Sequence, residues 1–243
     1  ILYYEDLIPM VYIYFKIFGY PINYTIKHIV IDEAQDYSLL QFKILKNIFP
    51  KASFTILGDI NQTINPYYVY NTLNDINSVF HSIKYIELLK SYRSSNNIIS
   101  YTNKLLKLEN IVSIRKENSL PVILKHVNND ELISTIIDDI KYMSSNNINR
   151  IAIITKTNGE ALKLYKKLKN NISNLSIISY NNKNIISNLV LLPAYISKGL
   201  EFDGVIVYEN ENNLYSERDI HLFYVACTRA QHCLIVYNHA EKF

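Results

Sequence analysis

The stretch "HIVIDEAQDYS", His28–Ser38, sets three carboxylates, Asp32, Glu33 and Asp36, directly behind a run of Ile and Val. Such an apolar run reads as a buried strand, and a strand end is a rigid place from which to aim a side chain. One acid there can hold a divalent cation, and its neighbour can take a proton from an attacking water. Asp32 and Glu33 stand in positions for those two roles. A strand that closes in a hydrated acidic turn has the same pattern, and this motif alone leaves the two readings even.

Four further stretches carry chemistry-bearing types. "TILGDINQTI" runs a second apolar segment into Gly58 and Asp59, with Gln62 just beyond. A glutamine amide both donates and accepts, so it can contact a terminal phosphate and a water together. "LLKSYRSSNNI" and "YVACTRAQHCLIV" hold Arg93 and Arg229. Guanidinium is a permanently charged planar fork, suited to charge on a transferring phosphoryl group, although a lone arginine equally fits a surface ion pair. In "SKGLEFDGVIV", Lys198 and Gly199 allow close backbone approach to a phosphate, and Glu201 suits a ribose hydroxyl. A bulge or hairpin glycine at a strand start fits that stretch as well.

The elements that must position these groups alternate in the α/β manner. "HIVIDE" and "SFTILGD" read as buried parallel strands, and "KYIELL" as another. Between the first two, "SLLQFKILKNIF" places Leu40, Ile44, Leu45 and Ile48 on one helical face, with Ser38 and Gln41 as a capping box. After "SYRSS" a second series begins with a helix over 96–107 and the strand "PVILKHV". A helix follows with Ile133, Ile137, Ile140 and Met143 at helical spacing, then the strand "RIAIITKT". Thr157 and Glu160 form a capping box for "ALKLYKKLKN", and "LSIISY", "VLLPAYI", "GVIVYE" and "CLIVY" complete the strands. A boundary falls near residue 92: the second block suffices for a full doubly wound domain, the first does not.

Composition narrows the class. In 243 residues, 49% hydrophobic, 25 basic and 22 acidic side chains leave +3, which permits nucleic acid without marking a basic footprint. Two cysteines are too few for a disulfide scaffold or a zinc cage and point to a reducing cytosol. "LIPMVYIYFKIFGYPI" is short, interrupted by Lys16 and bracketed by Pro9 and Pro21, so it reads as a buried helix rather than a membrane span.

Taken in order, "IVIDEAQD", "LGDINQ", "YRSS", "SKGLEFD" and "YVACTRA" resemble the second to sixth signature motifs of superfamily 1 helicases of the UvrD/Rep/PcrA type. The wording around "TILGDINQTI" and "LPAYISKGLEFD" is nearer the HelD branch, helicase IV-like proteins that act on bacterial RNA polymerase. The resemblance implies a RecA-like α/β fold, a mainly parallel sheet with helices on both faces, with a complete second domain over 93–243 and part of the first over 1–92. It implies ATP and Mg2+ as cofactors, hydrolysis between two such domains, and single-stranded or forked DNA as partner, with RNA polymerase the alternative and no membrane. On the matching positions, Asp32 would coordinate magnesium, Glu33 would be the general base, and Gln62 would link the γ-phosphate to nucleic-acid movement. Arg93 and Arg229 would contact the γ-phosphate, Arg229 as an arginine finger. Glu201 would hold the ribose beside Gly199, Lys198 would lie at the nucleic acid, and Gln35 and Asp36 would support the site where the domains meet.

Three departures qualify this. Tyr195 stands where many relatives carry a nucleic-acid-contacting histidine. "NPYYVYN" replaces an aromatic-plus-arginine stretch; Tyr67 or Tyr68 stacking on a base would contribute roughly 1–3 kcal/mol, although among 21 tyrosines packing is the commoner role. Finally, no G-x-x-x-x-G-K-S/T loop occurs, and the chain has only five glycines. The expectation is therefore a C-terminal piece of a longer helicase-like ATPase, inactive alone and partnered by the missing N-terminal part. Its incomplete first domain would be poorly ordered or would cover apolar surface by self-association. A polymerase-binding factor and a short protein that keeps the fold as an interaction module are the competing readings.

Overall fold

The computed structural model describes residues 3–64, 72–108, 111–115, 120–179, 187–210 and 213–238. The chain forms two compact units, Ile1–Glu87 and Leu88–Phe243.

The first unit opens with α1 (Tyr4–Phe18), which is apolar on most sides and leaves Leu7, Met10, Tyr14 and Ile17 exposed along one stripe. β1 (His28–Ile31) pairs in parallel with β2 (Ser53–Ile56), His28 opposite Ser53 through Ile31 opposite Ile56. α2 (Leu39–Ile48) joins them, and the expected capping box is present: the Ser38 hydroxyl accepts from the Gln41 N–H, and the Gln41 side chain accepts from the Ser38 N–H. One strand face, Ile29, Ile31, Phe54 and Ile56, packs with Phe42, Ile76 and Phe80. The other face is open, with Val30 61% exposed. Helical spacing singled out Leu40, Ile44, Leu45 and Ile48, yet Phe42 takes the deepest position, its ring set edge-on to Phe80 at 6.2 Å. "KYIELL" is not a strand: backbone pairing resumes only at β3 (Lys90–Ser91). Apolar content alone does not make a strand without a neighbour to pair with.

The second unit continues through α3 (Asn96–Leu106), β4 (Val112–Ser113), which pairs in parallel with β3, β5 (Ile123–Lys125), α4 (Leu132–Ser145), β6 (Ile151–Thr155) and α5 (Asn158–Leu168). It closes with β7 (Leu175–Ile177), β8 (Leu189–Pro193), α6 (Ala194–Ser197), β9 (Phe202–Tyr208), α7 (Ile220–Cys227) and β10 (Ala230–Tyr237). Six strands form one all-parallel sheet in the order β5-β10-β9-β6-β8-β7.

Period-two alternation splits these strands cleanly. Ile151, Ile153, Leu189, Leu191, Ile206 and Ile235 join α4 and α5 in one core, whereas Ala152, Ile154, Val190, Leu192, Val205 and Leu234 join α3, α6 and α7 in the other. Burial on both faces is why the strands read as unbroken apolar runs. The second capping box also holds, Thr157 accepting from the Glu160 N–H and Glu160 from the Thr157 N–H. No helix among the described residues is long and apolar enough to cross a membrane.

One carboxylate ties α4 to two strands. Asp139, 3% exposed, pairs with Lys125 of β5 and accepts from the Tyr237 hydroxyl of β10 at 2.5 Å. Burial, and then that bond to Asp139, push the Tyr237 hydroxyl far above its ordinary range. Removing the acid strands a buried hydroxyl and a half-buried ammonium. Asp139→Ala should therefore cost about 2–4 kcal/mol in urea unfolding, with Asp139→Asn, which still accepts from Tyr237, costing less.

Candidate functional site

In the first unit the expected residues converge. β1 delivers Asp32 to its end, and Glu33 turns the chain in the left-handed region at φ 51°, ψ 41°. That conformation costs a non-glycine residue about 1 kcal/mol, and the Asp32 carboxylate braces it by accepting the Glu33 N–H at 2.8 Å. Gln35, wholly buried, donates from Nε2 to Glu33 Oε2 at 2.6 Å and accepts at Oε1 from the Asp59 N–H at 3.0 Å. Asp59 Oδ2 in turn accepts from Gln62 Nε2 at 2.8 Å, while its Oδ1 caps the short turn Ile60–Gln62 through the Asn61 N–H. A continuous hydrogen-bonded path thus runs Glu33–Gln35–Asp59–Gln62, from the end of β1 to the end of β2. Two main-chain bonds hold the strand ends level, Ala34 N–H to the Leu57 carbonyl and Leu57 N–H to that of Ile31, each 2.8 Å.

Asp32 is the exposed acid of the set. A single carboxylate at a strand end fits magnesium, which takes one or two carboxylates and fills the rest of its shell with water and phosphate oxygens. A protein-built cage is not offered: among the described residues no group of three or more His, Cys, Asp or Glu converges. The thiols are no alternative chemistry, because Cys227 and Cys233 are both buried, and burial pushes Cys233 up to about 11 and Cys227 well above its ordinary value.

In the second unit Arg93 and Glu201 lie together as an ion pair, Nη2 to Oε1 at 2.7 Å, both partly exposed. Glu201 Oε2 accepts from Gln231 Nε2 at 2.7 Å, and its main-chain carbonyl accepts from Arg150 Nη2 at 2.8 Å. Gly199 forms the preceding turn at φ +79° with open space around it, a backbone that glycine adopts without strain. Lys198 is half-buried beside it, and Tyr195 is exposed on α6. Arg229 is set deeper than these residues. It is 1% exposed, and its guanidinium donates to the carbonyls of Val225 at 3.0 Å and Leu200 at 3.3 Å and to the Thr228 hydroxyl at 3.2 Å. A solvent-presented finger it is not in this conformation; it fastens the end of α7 to the turn that leads into Glu201. Tyr67 and Tyr68 lie outside the described residues.

The UvrD/REP helicase N-terminal domain family matches residues 18–72, and the UvrD-like helicase C-terminal domain family matches residues 172–241. These two matches, in family order, cover just over half of the sequence. The chain belongs to the UvrD-like superfamily 1 helicases. Among similar proteins, one of Acanthamoeba polyphaga mimivirus that bears the name of an ATP-dependent DNA helicase is 29% identical over 235 residues, 84% of this chain and 33% of its own length. The ATP-dependent DNA helicase Rep of Buchnera aphidicola is 33% identical over 88 residues, 35% of this chain and 13% of its own. A solved C-terminal domain of a possible DNA helicase from Lactobacillus plantarum shares 29% identity at a TM-score of 0.50, covering 60% of this UvrD-like chain and 86% of that one. The chain therefore spans a third or less of the length of these two curated relatives.

Asp59, Gln231 and Arg150 were not singled out from the sequence. Asp59 sat in view inside "LGDINQ", and its place two residues before Asn61 is a capping signal; the other two depend on strand register that no local pattern reveals. Gly58 is the sequence trace of the Gln35 bridge, because a Cβ there would sit 2.7 Å from Gln35 Oε1 and 3.1 Å from the Ala34 nitrogen. Gly58→Ala should displace the amide and cost about 1–3 kcal/mol, and hydrogen exchange should quicken at the Asp59 amide while amides of β9 keep their protection.

Proposed function

We propose that this chain supplies most of the nucleotide-responsive groups of an ATP-driven DNA helicase motor. The observation that carries the reading is the Gln35 bridge, which holds a water-activating acid and a phosphate-sensing amide on one rigid path. Asp32 holds magnesium, which supplies charge neutralisation at the phosphates when bound. Glu33 takes the proton of the attacking water, with Gln35 fixing the carboxylate that receives it. Gln62 reads the terminal phosphate and passes the change to Asp59 and the end of β2. Arg93 exchanges its Glu201 partner for a phosphate, and Glu201 takes the ribose. Arg229 serves the same region by holding the Leu200 carbonyl, and it becomes a phosphate ligand only on leaving that position. Lys198, Tyr195 and Tyr67 are assigned to the nucleic acid. DNA is the target in this reading because the named relatives are DNA helicases.

No phosphate-binding loop lies within these 243 residues. Anchoring of the triphosphate must come from outside them, so the chain alone should show no steady, DNA-stimulated phosphate release. In a longer protein carrying that loop, Glu33→Gln should lower kcat by about 10²- to 10⁴-fold with nucleotide affinity retained. Steady turnover by the 243 residues, or an unchanged kcat in Glu33→Gln, contradicts the assignment. If the longer protein co-purifies with RNA polymerase and DNA does not stimulate it, the HelD-type role replaces strand separation.

A further inference from the structure

Gln231 touches Glu201 itself and the chain segment that carries Arg93. Its side chain donates to Glu201 Oε2 at 2.7 Å, and its main-chain carbonyl accepts from the Ser95 N–H at 2.9 Å, two residues beyond Arg93. The neighbouring Ala230 carbonyl accepts from the Ser94 hydroxyl at 2.7 Å. The first two residues of β10 thus anchor the segment that carries Arg93, and one of them also anchors the acid that Arg93 meets.

The strand is irregular at this place. Ala230 lies opposite Phe202 and Cys233 opposite Gly204, so Gln231 and His232 together face Asp203 alone. An extra residue of this kind bends a strand and re-aims a side chain, and it is uncommon in parallel pairs. Here it brings the Gln231 amide onto the carboxylate just ahead of β9. A neutral donor suits the position: it orients Oε2 without competing for the negative charge that Arg93 uses at Oε1. A polar residue on a strand-start bulge also makes chance surface bonds, but those do not tie one partner of an ion pair and the segment carrying the other to the same residue.

We propose that Gln231 is a positioning residue: it orients Glu201 so that the carboxylate covers Arg93 until phosphate takes the guanidinium. The last clause rests on the nucleotide reading above; the positioning itself does not. In the 243-residue chain, phenylglyoxal modification at Arg93, followed by mass spectrometry, reports whether the carboxylate covers the guanidinium. Gln231→Ala and the near-isosteric Gln231→Met should each speed modification of Arg93 by roughly two- to fivefold, the range an exposed ion pair is worth. Both leave every main-chain bond of the bulge in place. Gln231→Asn, which keeps a neutral donor one methylene shorter, should give a rate between those of the native chain and Gln231→Ala, and buried Arg229 should stay unmodified in each folded variant. An Arg93 rate unchanged in Gln231→Ala and Gln231→Met, while Glu201→Gln raises it, overturns the proposal, because Glu201 would then hold Arg93 unaided. Protection of Arg93 by Mg-ATP is read separately: its absence from a longer protein that binds nucleotide counts against the nucleotide reading and leaves the variant comparison to decide the positioning.

Discussion

The side-chain amide of Gln35 is fully buried, and a buried amide left unpaired costs more than a bonded one gains. Its two ends must therefore be satisfied, and they are satisfied by the carboxylate of Glu33 and the main chain of Asp59. Much else in the first unit follows. Glu33 accepts a left-handed backbone because that turn brings its carboxylate back to the amide. Position 58 is glycine because any side chain there would meet the amide oxygen. Asp59 is then placed to cap one turn and hold Gln62 with the same carboxylate. The short sheet of β1 and β2, with one face open, is thus fixed by polar bonds at its ends as well as by its core.

The second unit rests on the opposite arrangement. Six parallel strands buried on both faces make a stiff platform, and the candidate residues sit where β9 and β10 begin. Arg93, Glu201 and Gln231 come from three separate stretches, yet each is tied to the first residues of β10, directly or through a neighbour. Arg229 fits this design as an internal brace. A guanidinium with so little exposure is supported by the carbonyls it fills, which a lysine could not reproduce with one point of charge.

Much of this was legible in the sequence. The strands of the second unit are continuous apolar runs because both faces are buried, and both capping boxes were written as Ser38 with Gln41 and Thr157 with Glu160. The carboxylates of "IVIDEAQD" and the motif order carried the family. The misses have physical causes. "KYIELL" has strand composition, but among the described residues it forms no ladder beyond the Leu89 carbonyl's bond from the Val112 N–H, and pairing is a property of two segments. Phe42 outranks Leu40 because depth depends on the gap opposite, which helical spacing does not encode. The burial of Arg229, as distinct from its role, is set by the end of α7 and the turn at Leu200, which no local pattern encodes. Gln231 depends on a one-residue shift between β9 and β10 that leaves no local mark.

The central claim is that the ends of β1 and β2 act as one body through Gln35. The most direct measurement is the NMR signature of that amide in the isotopically labelled chain: exchange of its Nε2 protons with water, and the through-hydrogen-bond coupling from the Asp59 amide nitrogen to the Gln35 side-chain carbonyl carbon. The structure predicts slow exchange and a measurable coupling. Free exchange with no coupling would show that the two strand ends are held independently, and the joined path from Glu33 to Gln62 would fall with it.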